Sequence, residues 1–538
     1  MAIQNFPFEP DVVVVGAGVA GGMAADIAAS NGLKVVILES GPRLNRDDIT
    51  RRWRETPLTN FMAPYPQPEY APVPDPANWD NYLIQTGPDA YNQQYIRGVG
   101  GTTWHWAAAT WRFLPSDFRL QSLYGVGRDW PLSYEDLEPW YDNAETRMGV
   151  AGRMAPGIAP RNSPFPMEAL PLSYMDATIA GHLNQNGYQM VDEPVARNSR
   201  IYDGRPPCCG NNNCMPICPI AAQYSGNMAV ERAEESGAIV VTEAVVHHLE
   251  ASEDGRIGAV RYLSPDGQET RIAARAVVLA ANGLETPRLM LMSRQERAPN
   301  GIGNSTGQVG RYLMDHPGTS VVFDMPEPVW PGRGPQEMTS ILKFRDGEFR
   351  SRFAAKKLHL WNGSMVSSIA EEAIDEGLRG EELRRTIANR AARRCAINSF
   401  HELLPEPTNR LTLAEDRLDP LGLPRPQIHY EIGAYVRESA LHTAEVYRDI
   451  VDTLGAELIS VSTGEEGFAP NNHIMGGTIM GDDPANSVVN KDCRVHAYDN
   501  LWVASSSVFP SAACVNSTLT IAALALRVGA DVALQLRN

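Results

Sequence analysis

Asp11-Val-Val-Val-Val-Gly16-Ala-Gly18-Val-Ala-Gly21-Gly22, continuing to Lys34-Val-Val-Ile-Leu38-Glu39, reads as strand, glycine turn, helix and strand. Val12 to Val15 is an unbroken β-branched run, the pattern of a strand buried on both faces. Gly16 permits the tight turn, Gly18 lets backbone approach a pyrophosphate, and Gly21 lets helix and strand pack closely. The helix that follows aims its free N–H groups at phosphate. Glu39 ends the second strand 18 residues past Gly21, where a carboxylate grips a ribose hydroxyl. The spacing predicts dinucleotide binding and leaves FAD and NAD both open.

Working outward, the 538 residues are too many for one core and imply at least two domains. A net charge of −17 argues against nucleic acid as a partner and suits a soluble protein. The first strand begins almost at Met1, which leaves no room for a secretory signal in this reading. Leu501 to Leu526 carries no charge, but Pro510, several serines and Asn516 interrupt it, so it reads as a buried strand, loop and helix.

Residues 44–96 read as an irregular excursion, and 151–170 as a Pro/Gly-rich linker. In Arg97-Gly-Val-Gly100-Gly101-Thr-Thr103-Trp-His105-Trp the glycines let backbone lie against a flat ligand. Ser133 and Asp136 form a capping box for a helix. Residues 239–246 and 276–281 read as further strands, the second leading through Asn282-Gly283 into a Pro-started helix, so the nucleotide domain is discontinuous. From about 318 to 465 apolar and polar residues alternate, as in Thr319-Ser-Val-Val-Phe and Gln427-Ile-His-Tyr-Glu-Ile, predicting an antiparallel sheet with one wet face. Residues 368–394 read as a charged, solvated helical pair. The fold class is therefore α/β: a discontinuous Rossmann-like domain (8–165, 206–317 and 466–538) with an antiparallel-sheet substrate domain (166–205 and 318–465).

Two further stretches carry chemistry. Cys208-Cys209-Gly-Asn-Asn-Asn-Cys214-Met-Pro-Ile-Cys218-Pro gathers soft thiols on one loop. That suits an iron–sulfur cluster or a structural zinc ion. Adjacent Cys208 and Cys209 point apart, so Cys208, Cys214 and Cys218 are the expected ligands and Cys209 the spare. Near the C-terminus, His473 stands before Gly476-Gly477, and Asn516 and Thr518 open an apolar helix whose N-terminus faces a ligand. An imidazole with a pKa near neutrality suits removal of a hydroxyl proton as hydride leaves carbon.

These stretches together resemble the glucose–methanol–choline family of flavin oxidoreductases from end to end. Gly-Val-Gly-Gly-Thr-Thr-Trp-His-Trp, the cysteine loop and Leu-Met-Asp315-His316-Pro317-Gly look like the catalytic subunits of bacterial membrane-associated sugar dehydrogenases, those oxidising glucose, fructose, sorbitol or gluconate. Trp330-Pro-Gly-Arg-Gly-Pro-Gln-Glu-Met-Thr-Ser340 looks more like the glucose-oxidising members. The resemblance implies FAD held by Gly16, Gly18, Gly21, Glu39, Gly100, Gly101, Thr103, His105, Val245, Ser505 and Thr518, with His105 where some relatives attach it covalently. It implies a 3Fe–4S cluster on loop 206–220. It implies oxidation of the anomeric C1 hydroxyl of an aldose, with His473 as base and Asn516 as its partner, and electrons leaving through the cluster. It also implies a small subunit bearing the export signal, to which Cys209 would be disulfide-bonded, and a multihaem cytochrome c. The enzyme would then sit at the periplasmic face of the inner membrane through its partners alone. Rival readings are a glucoside 3-dehydrogenase or a fructose, sorbitol or gluconate dehydrogenase of the same build, an oxidase with structural zinc, and a non-catalytic redox flavoprotein.

Overall fold

The computed structural model describes residues 8–56 and 62–537. Val12–Val15 is fully enclosed, paired in parallel with Val35–Leu38 on one side and Ala276–Leu279 on the other. Leu501–Val503 and Ile239–Val241 complete a five-stranded parallel sheet. The helix Val19–Ser30 covers it. Small residues let its neighbours come close: a Cβ on Gly22 would lie 2.8 Å from the backbone of Val230, and one on Gly529 would lie 2.7 Å from Ala24 O. The C-terminal helix Thr518–Arg537 is long and apolar enough to cross a membrane by length and composition, but it packs on the first helix and on Tyr134–Met148. The uncharged stretch is thus strand, loop and helix, as expected.

A six-stranded antiparallel sheet forms the second layer, in the order Glu457–Val461, Ser320–Asp324, Arg394–His401, Lys356–Trp361, Glu337–Ile341, Met190–Asp192. Alternation sorts its side chains. Val321, Phe323, Leu358, Leu360, Cys395 and Ile397 pack against Met175 and Ile179 of one helix and Tyr447 and Ile450 of another. Lys357, His359 and Phe400 lie on the opposite face. That face is polar, as the alternation predicts, but it is not wet: Lys357 is 0% and His359 3% exposed. It closes over an internal cavity instead of facing solvent.

Several sequence expectations need correction. Residues 239–246 are two strands, not one: Glu243 takes φ 57°, and Val245–Ala251 turns off into a separate antiparallel meander. The helix after Asn282 does not start at Pro287. It runs Asn282–Met292, because the Asn282 side chain accepts from the N–H groups of Leu284 and Glu285. The stretch 44–96 contains the helix Arg46–Glu55, capped by Asn45. Its polar composition, with Ile49 its one buried residue, leaves no apolar period to read. Residues 151–170 are packed rather than linking, since Ala151–Gly152 pairs with Met167–Glu168. The Gln427 strand joins Arg410–Leu418 and Ile84–Gln85 in a small sheet of its own. The capping box at Ser133 and the exposed pair Val366–Asp375 and Gly380–Ala391 are as expected.

Candidate active site

A cavity of about 710 Å³ lies between the two layers. Gly16, Gly18, Glu39, Gly100, Gly101, Thr103, His105, His473, Ser505, Asn516 and Thr518 all line it. Val245 does not; it lines a neighbouring void of about 40 Å³ with Gly16.

The nucleotide-side wall is backbone. Gly16 has φ +105°, and a Cβ there would sit 2.5 Å from Ala280 O. A Cβ on Gly21 would fall 1.9 Å from Gly16 O, so the third glycine acts through packing and does not reach the cavity. A Cβ on Gly18 would meet nothing within 4 Å, so this turn is open to the cavity. Gly101, at φ +58°, approaches Gly18 from the opposite side. Two glycine turns therefore form a cradle of bare backbone suited to a pyrophosphate. The N–H of Ala17 donates to Glu39 Oε2 at 2.9 Å and that of Gly41 to Oε1 at 2.8 Å. Lone pairs remain on the carboxylate for ribose hydroxyls. His105 is buried, packed on the ring of Tyr65, and burial pushes its pKa down to about 4. These residues fit FAD.

The opposite wall centres on His473. His316 Nε2 lies 3.2 and 3.0 Å from the carbonyl oxygens of Ala512 and Ala513. Carbonyls only accept, so His316 carries its proton on Nε2, and in the neutral ring Nδ1 is an acceptor. His473 Nδ1 lies 2.8 Å from His316 Nδ1 and must donate to it. The lone pair of His473 is thereby fixed on Nε2. Asn516 Nδ2 stands 3.3 Å from that atom. The amide is oriented in turn by Lys357 Nζ, 2.9 Å from Asn516 Oδ1, and Lys357 is paired with buried Glu193 at 3.1 Å. Asp315 holds the backbone, accepting from the N–H groups of His473 at 2.9 Å and Asn471 at 3.0 Å.

Burial, reinforced by His316, Lys357 and His359, holds the His473 pKa well below 6.5. The imidazole is thereby favoured in its neutral form, the form that accepts a proton. Sequence reading missed His316, Lys357 and Glu193 as supports. A usable signal was present in Lys357-Leu-His359-Leu, where a charged and a titratable residue share one face of a strand whose other face is leucine.

The cysteine loop is less resolved as a site. Cys214 is buried, Cys208 and Cys218 are half-buried, and Cys209 is exposed. Burial raises the Cys208 pKa, against the lowering effect of the Gly210 N–H and Arg197. Yet among the described residues no three His, Cys, Asp or Glu side chains gather as a metal-binding set. As folded here, the thiols do not fit a cluster.

Sequence profiles described as GMC oxidoreductase match residues 97–318 and 405–525, and one described as an FAD binding domain matches 11–98. The chain belongs to the GMC oxidoreductase family. It is 46% identical over 98% of both chains to the fructose dehydrogenase large subunit of Gluconobacter japonicus. It is 27% identical to 2-methyl-1,2-propanediol dehydrogenase of Mycolicibacterium austroafricanum, covering 97% of this chain and 94% of that one. Pyridoxine 4-oxidase from Mesorbium loti shares the fold, with a TM-score of 0.68 at 18% identity over 97% of this chain and 99% of that one. This member is thus an FAD-dependent oxidoreductase of the sugar or alcohol dehydrogenase kind. The first of these relatives is named for fructose, whereas Trp330–Ser340 led to an expectation of glucose. Of that segment Glu337 alone lines the cavity, and Trp330 is 44% exposed, so most of it has no contact through which to select a sugar.

Proposed function

We propose that this chain is the catalytic subunit of a dehydrogenase that oxidises a hydroxyl of a ketose or polyol, fructose first among them. The observation that carries the reading is the fixed tautomer of His473. Its unprotonated Nε2, to which the Asn516 amide N–H donates in the structure, meets the substrate hydroxyl and takes its proton, with Asn516 Nδ2 turning to the same oxygen. His316 cannot pass that proton on, because its own N–H ends on carbonyls. It fixes the tautomer and shares the imidazolium charge. A placed base contributes about 10²–10⁴-fold. Bound FAD supplies the two-electron acceptor, with Glu39 and the Gly16–Gly18 and Gly100–Gly101 turns as its cradle.

Around this core, residues 8–165, 206–317 and 466–538 form the FAD-binding part, and 166–205 and 318–465 the substrate part. Loop 206–220 is proposed as the seat of a 3Fe–4S cluster. Its support is the soft donor set of Cys208, Cys214 and Cys218 on one loop. The thiols would have to close up, so no reaction step is assigned to it. Iron and acid-labile sulfide analysis of anoxically prepared protein tests it. The likeness to a protein named a large subunit supports partner subunits; on the sequence resemblance alone these are assigned as a small one with the export signal and a multihaem cytochrome c, at the periplasmic face. Oxidation of the glucose C1 hydroxyl is the second reading, supported by the Trp330–Ser340 resemblance.

Anaerobic addition of fructose, glucose, sorbitol or gluconate to the holoprotein tests the main reading. Fructose bleaches the flavin absorbance fastest. Bleaching by glucose alone, with lactone as product, would replace this reading with the second.

A further inference from the structure

Glu337 and His359 are buried on the sheet face of the cavity, 5% and 3% exposed, and the reaction described above uses neither. His359 reaches it by strand alternation, Glu337 because of a register shift. Between Glu337 and Ser340 the strand gains one residue against Trp361–His359, and such a bulge re-aims a side chain. Glu337 Oε1 lies 3.5 Å from His359 Nε2. Glu337 Oε2 and His359 Nδ1 are both buried without a hydrogen-bond partner. Leaving such groups unsatisfied is costly. No cation compensates Glu337 directly, since Lys357 is already held by Glu193 and Asn516. Burial and the Glu193 charge lift its pKa to about 7, against the opposing pull of Lys357 and Arg197. His359 stays neutral, its pKa held low by burial and Lys357. Phe400 stands between this pair and the base, its ring centroid 4.7 Å from that of His359 and 5.0 Å from that of His473. A monosaccharide lying over Phe400 reaches both.

We propose that Glu337 and His359 are the second hydroxyl-recognition point of the chamber, so that the substrate is a polyhydroxylated molecule held at one hydroxyl by His473 and Asn516 and at another by Glu337. This rests on the function proposed above and names the substrate class for it. A neutral carboxyl both donates and accepts, as a sugar hydroxyl does, and His359 Nδ1 adds a further polar atom. A simple alcohol leaves these atoms unmatched, which is how a polar site rejects a ligand lacking the group.

The test uses FAD-loaded full chain, a dye acceptor, and D-fructose, D-sorbitol and cyclohexanol. Glu337→Leu raises KM for the two polyols about 10- to 100-fold more than for cyclohexanol. Glu337→Gln, which keeps shape and hydrogen bonding, restores polyol KM to within a fewfold of wild type. Binding is read separately in His473→Ala, where excess D-fructose raises Tm. Adding Glu337→Leu to that variant abolishes the shift. Equal losses for polyols and cyclohexanol, or a retained shift, overturn the proposal. If Glu337→Leu fails to hold FAD, a Glu337→Gln enzyme with polyol KM raised as far as that of a Glu337→Ala enzyme overturns it. Should no sugar turn over while the Glu337-dependent shift persists, the dehydrogenase reading fails and the recognition point stands.

Discussion

The two walls of the chamber are made of different material. The nucleotide side is mostly backbone, shaped by glycine turns in which Gly16 and Gly21 leave no room for a Cβ. The substrate side is a sheet face of buried charges and imidazoles, several of them fixed by a neighbour. A backbone wall has no partial failure: added atoms collide with carbonyls that cannot move. A side-chain wall degrades in steps, because each contact can be removed alone. Gly21→Ala puts a carbon 1.9 Å from Gly16 O and is expected to abolish flavin incorporation and most soluble protein, read by absorbance and yield. A well-folded, yellow Gly21→Ala protein would break the contrast.

On the other wall, His473→Ala keeps FAD and loses about 10²–10⁴-fold in kcat. Stopped-flow reduction by fructose measures this, and wild-type rates would remove His473 from the reaction. His316→Phe leaves the base in place but releases its tautomer. The expected loss is smaller, on the order of 10- to 100-fold, by analogy with the partners that orient metal-binding histidines. Unchanged kcat would show that Asn516 alone suffices to aim the ring.

The same contrast decides what could be read in the sequence. Gly16, Gly18, Gly21 and Glu39 lie within one strand–helix–strand unit, so their spacing carries their geometry. His473 and Asn516 were legible because each stands beside a local break, a glycine pair or a helix start. Lys357, Glu193 and His316 come from three distant segments, and their meeting depends on strand register, which no single stretch specifies. Glu337 was hidden further by the bulge that aims it. The polar face of the sheet was predicted and its burial was not, because alternation reports polarity and says nothing of what covers it.

Lys357 sharpens the comparison from the stability side. It is fully buried and bonded to Glu193 and Asn516. Lys357→Met leaves the Glu193 charge unpaired in the interior, a loss of about 3–5 kcal/mol. Lys357→Met with Glu193→Gln removes both charges, and most of that stability returns. Urea titration resolves the two, while kcat stays low in both because Asn516 is no longer oriented. Equal destabilisation in single and double variants would mean that the pair acts by packing alone.

The smallest effect is graded with pH. His473, His359, His401 and His105 have pKa values held below 6.5 by burial, and that of His316 is lowered for the same reason. The unfolded chain therefore binds more protons than the folded one as pH falls through 6.5. Stability contributed by these neutral rings is present above pH 6.5 and is lost progressively below it. Glu337 runs the other way. Its raised pKa means that stability present below its ordinary value of 4.5 is lost as pH rises through about 7. The two trends meet at His359 and Glu337 on the substrate wall, so Tm of the holoprotein should peak between them, with the acid limb shallower in His359→Phe and the alkaline limb shallower in Glu337→Gln. The backbone wall carries no such groups beyond His105. A Tm profile unchanged by either substitution would mean that the substrate-side charges are better solvated than their burial implies, and that the two walls differ less than their composition suggests.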